Sequence, residues 1–412
     1  MTNKLKNIVF VYDFAFNNGG IYKVLYQDAE DFLREGYNVY FVSAGPEADL
    51  PDGVVHYSVG KSQRSGGRGL QQVVSSIWNL KCRKVVESLV SSLSVESTIV
   101  HFNGYSMALS GAIFNAFKDA GYKTVCSVHD FNYVCPNGVY YDFNRNAECD
   151  LKPMGVSCLL RNCDKRNYFE KIHRITRKAV DNSFVDLPNR ADAVVYVSES
   201  LRTVFNSLGY REPRLWDCVI ENPVPGVIGA VDKSNSFKYD LMFVGRVVEE
   251  KGIRMLCAVA RKLGLSLVVL GGGALLEELK SEYLEFDFCG WVSVEDVRSY
   301  RSAAKIAVVP SLWCEASGLV VEEALAMRQP VIVPSRSGAS DKVKRYSGLV
   351  VFERGSESDL EVALRGVCEE GVFSRLLESV DRDQKVIKNS KSEHRSALIK
   401  VYEGVLLSGE DC

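Results

Sequence analysis

Two hydrophobic patterns alternate along the chain. Short unbroken apolar runs mark strands buried on both faces of a parallel sheet. Between them, apolar residues recur every three or four positions, as in helices with one buried face. In the first half the runs fall at 7–12, 37–43, 98–102, 124–128 and 193–197. Ile21, Val24, Leu25, Ala29, Phe32 and Leu33 keep helical spacing, as do Leu70, Val73, Val74, Ile77, Cys82, Val86 and Leu89. The second half repeats the alternation, with runs at 241–244, 265–270, 286–288, 305–309, 331–333 and 348–352. This predicts an α/β chain of doubly wound parallel sheets. Residues 220–237 break the pattern with Pro223, Pro225 and a Gly-, Ser- and Asp-containing stretch, which predicts a boundary between domains 1–222 and 223–390. An amphipathic helix at about 394–407, within segment 391–412, is expected to cross back to the first domain.

Polar residues gather just after these runs, at the strand ends where open α/β sheets bind ligands. The first run is followed by Asn17-Asn18-Gly19-Gly20. No third glycine completes a dinucleotide fingerprint, and a plain tight turn is the alternative. His101 and His129-Asp130 close two further runs. In the second half, Arg246 and Lys251 sit in one loop. Two cations at a strand tip suit a diphosphate, against the alternative of pairing with Glu249 and Glu250. Gly271-Gly272-Gly273 permits close approach of backbone or ligand.

The densest stretch is 313–330, W-C-E-A-S-G-L-V-V-E-E-A-L-A-M-R-Q-P. A strand tip, the turn of Ser317 and Gly318, and a helix start form a ready anion site, because the first helical amides lack partners. Glu315 and Glu323 would repel a phosphate there, so they are placed to accept hydrogen bonds from hydroxyls on either side of it. Hydroxyls, phosphate and more hydroxyls describe a nucleotide sugar.

The chain has 412 residues, 46% apolar and 25% charged, with net charge −2. That is ordinary for a globular protein, and no global field recruits nucleic acid. No signal peptide and no apolar run near ~18 residues is visible, and most of the 12 cysteines lie singly in apolar segments. The expected location is the cytoplasm. Cys135, Cys149, Cys158 and Cys163 cluster in an insert at about 131–165. Their spacing leaves three readings: a structural zinc, labile disulfides or packed thiols. Basic residues collect at 61–90 and again at 161–178 (Arg161, Lys165, Arg166, Lys171, Arg174, Arg177, Lys178). Each segment is either a solvated helix face or a peripheral contact with the inner membrane or a lipid-linked acceptor.

The order F-V-G-R-V-V-E-E-K-G (243–252), V-V-L-G-G-G (268–273), F-C-G-W-V (288–292) and P-S-L-W-C-E-A-S-G-L-V-V-E-E-A-L-A (310–326) resembles family 4 retaining glycosyltransferases. N-N-G-G (17–20), S-V-H-D-F-N-Y-V-C-P-N-G (127–138) and V-V-Y-V-S-E-S (194–200) extend the resemblance to nearly the whole chain. It implies the GT-B fold, two Rossmann-like domains facing a central cleft. It also implies roles. Glu323 would take the donor's ribose, Glu315 and His129 would contact the sugar, and Asn137 would bind substrate. Arg246 and Lys251 would grip the diphosphate. The amides near Gly318, Leu319 and Val320 would contact phosphate or sugar, Gly19 and Gly20 would close on the diphosphate, and Gly272, Cys289 and Gly290 would lie on the nucleotide side. The donor would be a UDP-, GDP- or ADP-sugar, with no cofactor and no catalytic metal, and the leaving phosphate would act as base. The cysteine insert resembles that of bacterial surface-polysaccharide transferases, implying a glycan or lipid-linked acceptor. A sugar-nucleotide epimerase, a phosphorylase and a non-catalytic nucleotide-sugar-binding protein are the alternatives. Residues 327–329, Met-Arg-Gln, depart from the family's small-residue turn.

Overall fold

The computed structural model describes residues 4–60, 76–210, 216–224 and 237–408. The chain divides into two compact units. One comprises Met1–Val139, Asp150–Pro223 and Ser392–Cys412; the other comprises Tyr140–Cys149 and Val224–Lys391.

Among the described residues, the first unit is built on a seven-stranded parallel sheet. Its strands are β1 (Asn7–Tyr12), β2 (Asn38–Ser43), β3 (Val55–Ser58), β4 (Thr98–Gly104) and β5 (Lys123–Val128). After a two-stranded hairpin of β6 (Tyr141–Asp142) and β7 (Ala147–Glu148), β8 (Ala193–Tyr196) and β9 (Cys218–Val219) complete it. The order is β3-β2-β1-β4-β5-β8-β9. All six residues of β1 are buried, as its continuous apolar run requires.

The second unit carries a six-stranded parallel sheet. Its strands are β10 (Tyr239–Val244), β11 (Leu267–Leu270), β12 (Asp287–Gly290), β13 (Ala304–Val308), β14 (Val331–Pro334) and β15 (Leu349–Phe352), in the order β12-β11-β10-β13-β14-β15. In each sheet the order reverses beside the first strand, at β1/β4 and at β10/β13. Such switch points open a crevice at the strands' C-terminal ends.

The expected final helix is longer than its amphipathic segment suggests. It runs unbroken from Glu370 to Leu407, 38 residues. Asp383 accepts the amides of Ser347 and Gly348 at 2.8 and 2.9 Å, fixing the first part in the second unit. Leu398, Val401, Tyr402, Val405 and Leu406 pack into the first unit's core with Ile8, Phe10 and Phe32. Each large apolar side chain fully buried there contributes about 1.5–3 kcal/mol. His101, buried, lies between the Tyr402 hydroxyl at 2.6 Å and Ser127 Oγ at 2.7 Å. Its role is to join strand to helix.

The cysteine insert is divided between the units, since 140–149 fold with the second. A zinc centre is not formed: among the described residues no three His, Cys, Asp or Glu side chains converge on a metal-sized site. Cys135 Sγ instead donates to Asn137 Oδ1 at 3.0 Å, and Asn137 Nδ2 lies 3.5 Å from Cys163 Sγ. Asn137 is buried and also accepts the Val139 amide, so this expected substrate contact is a brace of the insert.

Of the two basic segments, the second needs correction; in the first, Lys81, Arg83 and Lys84 are exposed. Residues 61–75, with Arg64, Arg68, Leu70, Val73 and Val74, lie outside the described residues. In helix Tyr168–Phe184 the cations point inward. Lys171 donates to the carbonyls of Cys158 and Arg161, and Lys178 to that of Tyr133. Arg177 binds the carbonyls of Tyr105 and Leu109, both at 2.7 Å. Loops that expose carbonyls to a helix need donors, and long cationic side chains supply them. Among the described residues no helix is long and apolar enough to cross a membrane.

Candidate active site

In the second unit, three strand tips are packed backbone on backbone. A Cβ at Gly252, whose φ is +68°, would lie 2.0 Å from the Pro310 carbonyl oxygen. One at Gly271 would lie 2.0 Å from that of Gly245. Glycine at both positions lets the loops after β10, β11 and β13 close together, and Leu312 N donates to Glu250 O across them at 3.0 Å.

This closure brings Lys251 to Glu315. The lysine ammonium pairs with Glu315 Oε1, which also accepts from Ser311 Oγ at 2.6 Å and Trp313 Nε1 at 3.2 Å. Burial pushes the Glu315 carboxyl up, but the Lys251 charge and these hydrogen bonds outweigh it, and the net direction is down. Glu315 is therefore a firm carboxylate, unsuited to donating a proton. Lys251 Nζ lies 5.0 Å from the Trp313 ring centroid and Arg246 Cζ 5.6 Å from it, so one indole ring gathers both cations. Arg246 is half-exposed and 3.7 Å from Glu250, while Glu249 pairs with Arg254 at 3.4 Å. The sequence alternative, pairing with the adjacent glutamates, thus holds for Arg246 and fails for Lys251.

Gly318, in the left-handed region with φ +71°, caps helix Leu319–Ala326 without a side-chain bond. The amides of Leu319 and Val320 open this helix, where no preceding turn supplies acceptors. Ser317 Oγ beside them is buried without a hydrogen-bond partner. Glu323 lies one turn into the helix, its side chain 28% exposed and 3.7 Å from the buried Arg301 guanidinium. Arg301 Nη1 donates to Gln329 Oε1 at 2.9 Å, and Gln329 Nε2 donates to the Ala304 carbonyl at 3.1 Å. Gln329, in the turn that departs from the family pattern, thus supports Arg301 behind Glu323.

Gly272 is buried, and Cys289 is partly exposed. A Cβ at Gly272 would meet Trp291 Nε1 at 2.4 Å, and Cys289 Sγ lies 3.3 Å from the Tyr300 hydroxyl. Gly290 has open space on its Cβ side.

The first unit has its own pocket at the β1/β4 switch point, lined by Tyr12, Asp13, Asn103, Tyr105, His129 and Asp130 among others. Asp13 accepts the amides of Met107, Ala108 and Leu109 at 2.7–2.8 Å and so shapes the loop after β4. His129 Nε2 lies 2.9 Å from Asn103 Oδ1, while Nδ1 is buried without a partner. Burial, then the nearby His394, pushes the His129 pKa down to about 3. The ring is neutral, with Nε2–H donating to Asn103 and the Nδ1 lone pair unused. Gly19 caps helix Gly20–Arg34 with open space around it.

Sequence reasoning missed Trp313, Ser311 and Arg301 as site residues. The first two lay in the densest stretch and carried a signal. Arg301 carried none, being one of two arginines, with Arg298, in helix Val294–Ala303.

Residues 230–392 match the family model described as Glycosyl transferases group 1. TuaC of Bacillus subtilis, a glycosyltransferase ascribed to teichuronic acid biosynthesis, is 31% identical over 159 residues, covering 37% of this chain and 40% of its own. The chain matches only 33% to 40% of the length of the curated relatives it resembles. Over the whole fold it is similar to sucrose-phosphate synthase of Thermosynechococcus elongatus, with a TM-score of 0.68, 14% identity, and coverage of 98% of this chain and 100% of the other. HepE of Anabaena, in complex with UDP and glucose, gives a TM-score of 0.64 at 14% identity, covering 96% and 98%. The fold is α/β GT-B.

Proposed function

We propose that the protein, whose residues 230–392 match the Glycosyl transferases group 1 model, is a retaining glycosyltransferase. It moves a sugar from a nucleotide diphosphate sugar to a glycan or lipid-linked acceptor. The observation that carries this reading is the cluster of Lys251, Arg246 and Glu315 on Trp313, followed along the chain by the helix start at Gly318 and by Glu323. Cations and opening amides suit a diphosphate, and the two carboxylates suit the hydroxyls on either side of it.

Glu323, steadied by Arg301, accepts from the ribose hydroxyls. Glu315, ionised, accepts from sugar hydroxyls. Lys251 and Arg246 stabilise the charge that grows on the leaving diphosphate as the bond from the anomeric carbon to the phosphate oxygen breaks, the kind of term that dominates such steps. A phosphate oxygen takes the proton of the acceptor hydroxyl on the same face, and the new bond forms there, which retains configuration. His129 receives a substrate hydroxyl through Nδ1, and Gly19 and Gly20 belong to the same reaction from the first unit. The UDP complex of HepE supports UDP among the candidate bases, and the teichuronic acid ascription of TuaC supports bacterial surface-polysaccharide synthesis.

A thermal-shift screen against UDP-, GDP-, ADP- and CMP-sugars tests this. One class should raise the melting temperature by mass action. The reading fails if none does, or if Lys251→Ala responds as the wild type does.

A further inference from the structure

Helix Tyr168–Phe184 is amphipathic the wrong way round for a solvated surface helix. Its inner face carries Lys171, Arg177, Lys178 and Asp181, all buried. Its exposed residues are Phe169, Ile172, Thr176, Ala179, Asn182, Ser183 and Phe184, none of them charged. Phe169 is 82% exposed and Phe184 60%. The uncharged stripe runs about 22 Å at 1.5 Å per residue. Its hydroxyls bond back to the helix: Thr176 Oγ1 donates to the Ile172 carbonyl at 3.0 Å and Ser183 Oγ to that of Ala179 at 2.9 Å. Hydroxyls that bond back to their own helix suit an apolar surrounding.

The short helix Val156–Leu160 extends this surface. Tyr168 Oη donates to the Leu159 carbonyl at 2.7 Å, and Lys171 donates to the carbonyls of Cys158 and Arg161 in the C-terminal part of the short helix. Val156 and Leu160, one turn apart, are each 74% exposed. The segments flanking this end in sequence carry Lys152, Arg161, Lys165 and Arg166 against Asp150 and Glu170, with Arg166 3.7 Å from Glu170. The cationic excess favours a negatively charged occupant and opposes a second copy of the same face.

We propose that the outer face of helix Tyr168–Phe184, with Val156 and Leu160 beside it, rests in the interfacial layer of an anionic membrane. The apolar side chains enter the headgroup boundary, and the cations at the Lys165 end meet lipid phosphates. The driving force is thus the apolar stripe, with charge as the selector, the reverse of the basic surface expected from composition. The inference does not depend on the glycosyl-transfer reading.

Vesicle flotation tests it. The wild type should bind phosphatidylcholine–phosphatidylglycerol vesicles at least about tenfold better than phosphatidylcholine alone, with salt weakening the difference. Phe169→Ser with Ile172→Ser should lower that binding about tenfold or more. Because both residues are exposed, melting temperature and nucleotide-sugar thermal shifts should stay unchanged. Thr176→Asp, which places a charge mid-stripe, should act likewise. Wild-type protein that ignores both vesicle types overturns the proposal, as do variants that bind like the wild type. A vesicle-free dimer lost in the same variants also overturns it, by giving the face to a second copy.

Discussion

Lys251 and Glu315, 64 positions apart, form a part-buried ion pair whose carboxylate is completed by Ser311 and Trp313. Glu315 titrates below its ordinary value of 4.5 in the folded state. Its contribution to stability is therefore present above that value and is lost as pH falls through the lower folded one. Melting curves of wild type and Glu315→Gln should differ most at neutral pH and converge in acid. Lys251→Ala should lower kcat by about 10²–10³, the usual effect of removing a charge that stabilises a leaving group.

Glu323 depends on Arg301. Arg301→Met keeps the buried volume but removes the guanidinium 3.7 Å from the carboxylate. KM for the nucleotide sugar should rise more than kcat falls, because the loss is one of positioning. Glu323→Ala should show the larger effect of the same kind. Steady-state kinetics on both variants checks the order.

The neighbouring Glu322 should behave oppositely. It pairs with Lys342 at 2.8 Å, both side chains 1% exposed. Glu322→Ala should cost about 3–5 kcal/mol by stranding a buried charge, whereas Glu322→Leu with Lys342→Met should be near neutral. Denaturant unfolding distinguishes the two.

His129 couples the first unit's pocket to pH. Its ordinary pKa is 6.5 and its folded value about 3. The unfolded chain binds the proton first, so this group makes stability fall as pH drops from 6.5 toward 3. His129→Gln should lose less melting temperature than wild type between pH 7 and 5. Asp130, pushed up to about 6 by burial, acts in the opposite sense in both proteins and leaves the comparison intact.

The parallel sheets were readable because strands buried on both faces leave unbroken apolar runs, as at 7–12 and 331–333. Cations and glutamates at strand tips were readable for the same reason, since the strand ends locate them. Which cation meets which carboxylate was not. Nothing local separates Glu249, Glu250 and Glu315 as partners of Lys251; the contact forms only when the loops around Gly252 and Pro310 close. Helix Tyr168–Phe184 misled for a sharper physical reason. Charge there marks the inner face, because Lys171, Arg177 and Lys178 serve loop carbonyls, and a rule that turns charges outward reads it inside out. Arg301 lay beyond sequence reasoning because its value comes from burial behind Glu323.

The first unit's core draws on both ends of the chain, with Tyr402 seated against His101 and Phe32. During synthesis the nascent first 223 residues must therefore wait, with part of their sheet uncovered, while the second unit's main segment emerges. Only when residues 398–406 leave the ribosome can that surface be sealed. An interval with uncovered core surface is built into the order of the sequence, and removing the last turns of the final helix would damage the domain made first.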